Sequence, residues 1–140
     1  LERKCQNQSF LLLMQSSKAI HDRIKKELAK NNISITEFSV LEVLYQRGKQ
    51  TIQQIGNSIL VSSGSMTYII DKLEQRGLLN RSDCPDDRRM IHVTLTVDGN
   101  GLMDEIMPKY DVIVNQMFEL LDSDEAELLV KLLTKVKNNV

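Results

Sequence analysis

The sequence predicts a mainly α-helical chain with one small β wing: six helices plus a β-hairpin. Three observations predict it. Apolar residues recur at helical spacing along most of the chain. Residues 51–76 read as two short helices joined by a tight turn. A hairpin with a charged tip, Asp83-Cys84-Pro85-Asp86-Asp87-Arg88-Arg89, follows directly. A helix-turn-helix followed by a basic-tipped hairpin is a winged helix-turn-helix, an arrangement suited to placing one helix in a DNA major groove with arginines beside it.

The elements follow in order. Phe10, Leu13, Met14, Ile20, Ile24 and Leu28 make a helical stripe over residues 6–30, which Asn31-Asn32 ends. Ser34 and Glu37 have the spacing of a capping box. They open a second helix with Phe38, Leu41, Val43, Leu44 and Tyr45 facing inward, stopped by Arg47-Gly48. Thr51-Ile52-Gln53-Gln54 is a second such box and opens a helix with Ile52, Ile55 and Ile59 on one face. Leu60-Val61-Ser62 is the expected turn, and Ser62 or Ser63 caps the next helix. That helix buries Met66, Ile69, Ile70 and Leu73, at offsets of three, four and seven, and stops at Gly77. Residues 78–82 and 90–95 read as strands, the second alternating Ile91, Val93 and Leu95 with His92 and Thr94. Thr96 caps a long helix to about Leu121, with Leu102, Ile106, Ile113, Met117 and Leu120 inward and a kink expected at Pro108. Asp122 to Glu125 cap a last helix with the stripe Leu128, Leu129, Leu132, Leu133 and Val136.

Residues 1–140 form one expected domain. Residues 34–96 are its winged-helix region, and residues 1–33 and 97–140 are helices with more apolar surface than so small a centre can cover. A second copy solves this economically: an intertwined homodimer through the N- and C-terminal helices, related by a two-fold axis. Aromatics are 4% and Trp is absent, so the core must be Leu, Ile, Val and Met, which suits helix packing. Net charge is −1. Residues 1–30 carry seven Lys/Arg against three acids, and residues 104–127 carry eight acids against Lys109 alone. Residues 62–92 carry five of each sign, so a DNA footprint requires Lys72, Arg76, Arg81, Arg88 and Arg89 to share a surface. Cys5 and Cys84 lack metal-type spacing and read as reduced thiols of a cytoplasmic protein. No secretory-signal pattern and no membrane-length apolar run is present.

The wing motif Asp87-Arg88-Arg89, the strand Met90 to Leu95, and the pattern Leu95-Thr96-x-x-Gly99 resemble the MarR-type multiple-antibiotic-resistance regulators, as do helix order and lengths over nearly the whole chain. The resemblance implies a homodimer that binds an inverted repeat of double-stranded DNA as a repressor and releases it when a small molecule or oxidant arrives. Three runs, at residues 36–42, 52–56 and 84–89, further resemble repressors that answer to hydroquinones, quinones and catechols. That likeness implies control of detoxification genes by a small aromatic or electrophilic effector.

Expected DNA contacts are Ser62, Ser63, Gly64, Ser65, Thr67, Tyr68 and Lys72 on the recognition helix, with Arg76 as a phosphate contact. A helix start favours phosphate and short hydroxyl side chains approach closely. None is an Arg or Asn placed for bidentate base reading, so sequence preference leans on DNA shape. Arg89 is expected in the minor groove, where a narrow A·T-rich tract concentrates negative potential. Asp87 is expected to hold Arg89 or a neighbour by a charge-assisted bond, and Arg88 to touch backbone. The plain alternatives are a solvated helix face and a surface ion pair of about 0–1 kcal/mol.

The resemblance places an effector pocket between the dimer helices and the winged helix. Candidates are Phe10, Met14, Ser17, His21, Phe38 and Tyr45, although such residues at helical spacing are usually core. Cys5 is a candidate redox or alkylation sensor because Arg3 and Lys4 favour its thiolate. It lies four residues before Ser9, which occupies the position of the reactive cysteine in peroxide-sensing relatives. Cys84 is a weaker candidate in the wing. No phosphate loop, metal-ligand pair or Ser-His-Asp grouping can be assembled, so neither an enzyme nor a cofactor is expected. Two alternatives stay open: a metal-responsive regulator on the same scaffold, and a winged helix used only for protein contacts.

Overall fold

The computed structural model describes residues 7–59, 63–87 and 89–140. Among these residues six helices and three strands follow one another, mainly α as expected, with two strands forming the wing and a third, short one lying just before the third helix. α1 (Gln8–Ala29) starts where the Phe10 N–H donates to the Asn7 side chain at 3.0 Å, satisfying a donor that has no partner within the helix. Asn32, at φ 55°, turns the chain back, a left-handed conformation that asparagine tolerates. α2 (Ile35–Arg47) opens on a reciprocal box: the Glu37 N–H donates to Ser34 Oγ and the Ser34 N–H to Glu37 Oε1, both at 3.1 Å. Gly48, at φ 73°, closes it.

Thr51 and Gln54 form the same box at the start of α3 (Ile52–Ile59), at 3.1 and 2.8 Å. Gln50–Thr51 is also a strand, β1, which the sequence reading did not include. It pairs with β3 (Ile91–Leu95), which pairs in turn with β2 (Leu79–Asp83), giving antiparallel order β1-β3-β2 with Thr51 opposite His92 and Arg81 opposite Val93. The wing is thus tied to the start of α3, not a free hairpin. α4 (Ser63–Gln75) ends in a Schellman motif. Gly77 has φ 74°, its N–H donates to the Glu74 carbonyl at 2.9 Å, and the Leu78 N–H to the Leu73 carbonyl at 3.1 Å.

α2 is the centre of the core. Val40 and Leu41 are fully buried, with Leu28 from α1, Ile55 from α3, Met66, Ile70 and Leu73 from α4, Leu79 and Val93 from the sheet, and Met103 from α5. Each contributes about 1.5–3 kcal/mol by leaving water. α5 (Val97–Met117) runs on through Pro108 and is followed by α6 (Ser123–Asn138), which Asp122 and Glu125 cap. Two details differ from expectation. Leu120 lies beyond the end of α5 and is 94% exposed, because the helix stops at Met117, while Met103 takes an inward place. Ile91 is exposed although Val93 on the same strand is buried, since the wing extends past the core it packs on.

The terminal helices are left largely uncovered. α6 buries no residue, and its stripe Leu128, Leu132, Leu133 and Val136 is exposed. In α1 only Leu28 is buried, while Phe10 to Met14 are exposed.

Candidate nucleic-acid interface

The 3.6-residue period divides α4 into two faces. Met66, Ile69, Ile70 and Leu73 are buried, while Ser65, Thr67, Tyr68 and Lys72 are exposed. Tyr68 is 68% exposed. Ser63 and Gly64 open the helix. Ser62, Arg88 and Cys5 lie outside the described residues.

The cations divide into two kinds. Arg76 was expected on phosphate, but its guanidinium pairs with the buried Glu37 at 3.2 Å. Arg81 reaches Asp71 at 2.7 Å and Glu74 at 3.0 Å, and its own N–H donates to Glu74 at 3.0 Å. These bonds hold Glu74 below the ordinary carboxylate range. Both arginines therefore secure α4, one to α2 and one to the wing. Lys72 and Arg89 are exposed and form no ion pair among the described residues.

The wing tip is a compact turn. The Cys84 N–H donates to the Met90 carbonyl and the Met90 N–H to the Asp87 carbonyl, both at 3.0 Å. Asp87 Oδ1 accepts the Arg89 backbone N–H at 2.9 Å. Asp87 thus fixes the backbone of Arg89, while the other arginine expected to pair with it, Arg88, lies outside the described residues. An aspartate bonded to the N–H two residues on is a turn device, and it leaves the arginine side chain free to reach outward. A cleft of about 520 Å³, bounded by Gln53, Asn57, Met66, Arg89 and Met90, separates the wing tip from α3. Gln53 and Asn57 are exposed polar residues beside Arg89 that the sequence reading passed over. Only their α-helical phase, opposite Ile55 and Ile59, marked them.

The six effector candidates divide between the open face of α1 and the seam of α2 with α5. Phe10, Met14, Ser17 and His21 are exposed on α1. Phe38 is buried against Tyr110 of α5, ring centroids 4.8 Å apart. The Tyr45 hydroxyl donates to Asp104 Oδ1. Burial, with Asp111 adding repulsion, raises Glu42 above the ordinary carboxylate range; burial and the Glu42 and Asp111 charges raise the Tyr110 phenol. The seam between α2 and α5 is therefore aromatic and acidic. Cys84 is a half-buried thiol, and His92 has a buried Nδ1 with no hydrogen-bond partner among the described residues. Among the described residues no cluster of His, Cys, Asp and Glu could hold a metal ion, and no helix is long and apolar enough to cross a membrane.

Residues 33–91 match the model of the MarR family. The HTH-type transcriptional regulator MhqR of Bacillus subtilis (strain 168) is 40% identical over 130 residues, covering 93% of this chain and 90% of its own. The chain belongs to the MarR family. As a MarR-family member it is a DNA-binding transcriptional regulator, and its relatives are regulators, not enzymes. Its fold matches AbsC, a MarR family transcriptional regulator from Streptomyces coelicolor, with TM-score 0.90 at 18% identity over 99% of this chain and 97% of that one. It also matches Bordetella bronchiseptica BpsR, whose DNA binding is regulated by 6-hydroxynicotinic acid. There the TM-score is 0.82 at 27% identity, over 94% of this chain and 99% of that one.

Proposed function

We propose that this MarR-family chain is a homodimeric repressor that binds an inverted-repeat operator and leaves it when a small aromatic, quinone-type effector or an oxidant arrives. The observation that carries the DNA reading is the pairing of two outward groups. One is the polar face of α4, with Ser65, Thr67, Tyr68 and Lys72; the other is the exposed Arg89, whose backbone Asp87 holds on the wing and which forms no ion pair among the described residues. The face approaches base edges and phosphates in the major groove from the start of α4 at Ser63 and Gly64, where the helix dipole favours phosphate, and Ser62 is assigned to the same contact from the sequence alone. Arg89 enters the adjacent minor groove, with Arg88 on the backbone. Residues 1–33 and 97–140 form the dimer and set the two half-sites apart.

The effector reading rests on the local likeness to quinone-responsive repressors and on the chemistry of the α2–α5 seam. Glu42, Asp104 and Asp111 lie beside Phe38, Tyr45 and Tyr110. Such a seam suits an uncharged ring that stacks and hydrogen-bonds better than a carboxylate, which its acids repel.

Selection of bound duplexes from a random library at near-physiological salt tests the reading. Enrichment of an inverted repeat with half-site centres about one helical turn apart supports it. Arg89→Ala is then expected to weaken that operator at least about tenfold while the protein stays folded and dimeric. Folded, dimeric protein that enriches nothing points to the protein-contact alternative. Unchanged affinity in Arg89→Ala removes the wing from the interface.

A further inference from the structure

Glu37 divides its carboxylate between two elements. Oε1 accepts the Ser34 N–H at 3.1 Å and so caps α2, while Oε2 meets Arg76 Nη1 at 3.2 Å, just past the end of α4. The two residues are 39 positions apart. The Glu37 side chain is 6% exposed and that of Arg76 29%, so this is not a solvent-screened surface pair. A carboxylate so buried is tolerated only when paired and hydrogen-bonded, and losing one partner strands the other. The pair is therefore a definite joint between α2 and α4. Lys72, one turn before Arg76, faces solvent and contributes only its field to Glu37.

The ion pair lies just past the C-terminal end of α4, one turn beyond Lys72, and Glu37 also borders the cleft lined by Ser65, Tyr68 and Lys72. Roughly 16 Å of helix separate Ser65 from Arg76. A tilt of about 5° at the joint moves the reading end by about 1.4 Å, several times the spread of distances over which a hydrogen bond forms. We propose that Glu37 and Arg76 are positioning residues for operator recognition: their pairing sets the angle of α4 against α2 and so aligns Ser65, Thr67 and Tyr68 with the base edges, without touching DNA. This rests on the DNA-reading function proposed above. Arg76 is thereby assigned to specificity and not to the phosphate footprint.

The test uses Glu37→Gln, Arg76→Met, the double variant and Arg76→Lys in the full chain. Binding is measured to the selected operator and to a scrambled duplex of equal length, each across a salt series. Amide hydrogen exchange is measured in the free protein. Each of the first two variants is expected to weaken operator binding about tenfold, and the double variant no more than the worse single, because one shared interaction is lost. Scrambled-duplex binding stays within about twofold and the salt slope is unchanged, because no phosphate contact is removed. Arg76→Lys recovers part of the loss. In free protein, exchange accelerates in α4 and not in α5. A loss equal on both duplexes, with the salt slope reduced by about 0.9 in Arg76→Met alone, makes Arg76 a phosphate contact and overturns the proposal. Unchanged α4 exchange overturns the joint itself, whatever the DNA result. An α4 response in a protein that enriches no operator overturns the DNA reading and leaves the pair as packing only.

Discussion

Glu37 shows how one residue serves several levels of structure. Burial by itself raises its pKa, but the hydrogen bonds from Ser34 and the charges of Lys72 and Arg76 outweigh burial and hold the carboxyl below its ordinary range. A carboxyl lowered in the folded state adds stability above its unfolded pKa and loses it as pH falls through the folded one. Glu37→Gln imitates the protonated group. The difference in unfolding free energy between the natural protein and Glu37→Gln is therefore expected to be largest at neutral pH and to close below about pH 4. Urea titrations at several pH values check this, and a gap that stays constant down to about pH 3 shows that the charge adds nothing. The capping half of this residue was legible, since Ser34-x-x-Glu37 is a local pattern. The ion-pair half was not, because nothing near Arg76 in sequence marks a partner 39 residues away.

Among the elements, α5 begins at a junction that explains the Leu95-Thr96-x-x-Gly99 pattern physically. Thr96 Oγ1 accepts the Gly99 N–H at 3.0 Å and its hydroxyl donates to the Gly77 carbonyl at 2.6 Å, while its own N–H donates to the Leu78 carbonyl at 3.1 Å. One threonine thus joins the end of α4, the start of β2 and the start of α5. Gly99 is buried here, and a Cβ on it would lie 2.0 Å from the Leu78 carbonyl oxygen. That atom is backbone and cannot rotate away. Gly99→Ala is expected to destabilise the fold by about 3 kcal/mol, read as a lower urea midpoint with an unchanged slope. A midpoint within error of the natural protein would mean that the junction yields. The threonine cap could be read from sequence; the need for glycine three residues on could not, since it depends on where a different turn places its carbonyl. β1 escaped for a similar reason. Two residues carry no periodicity, and only their pairing with β3 makes them a strand.

On the scale of the molecule, the uncovered apolar surface decides the assembly to test. Leu13 of α1 and Val130, Leu133 and Val136 of α6 line one shallow groove, exposed in the single chain. Charge adds to this, with excess base in residues 1–30 and excess acid in residues 104–127, a distribution that favours crossing one copy's first helix over its partner's last ones. Sedimentation at micromolar concentration is expected to give a dimer. Leu133→Asp is expected to shift it toward monomer and to cost operator affinity by uncoupling two half-sites. A Leu133→Asp protein that remains fully dimeric places the interface elsewhere.

Local order was determined by the sequence itself: where helices start, where glycines and asparagines end them, which stripe of α4 faces inward, and that a wing follows. These depend on interactions among residues three or four apart or on a fixed period, so they are present in the chain before it folds. Tertiary structure alone decided which charges stay outward. Of the two arginines at the end of α4 and the start of the wing, both are spent on acids brought close by folding, leaving Lys72 and Arg89 outward. A charge count cannot separate these groups, because the energy of a charge depends on its burial and on the partner at contact distance, and both are set only when distant segments meet.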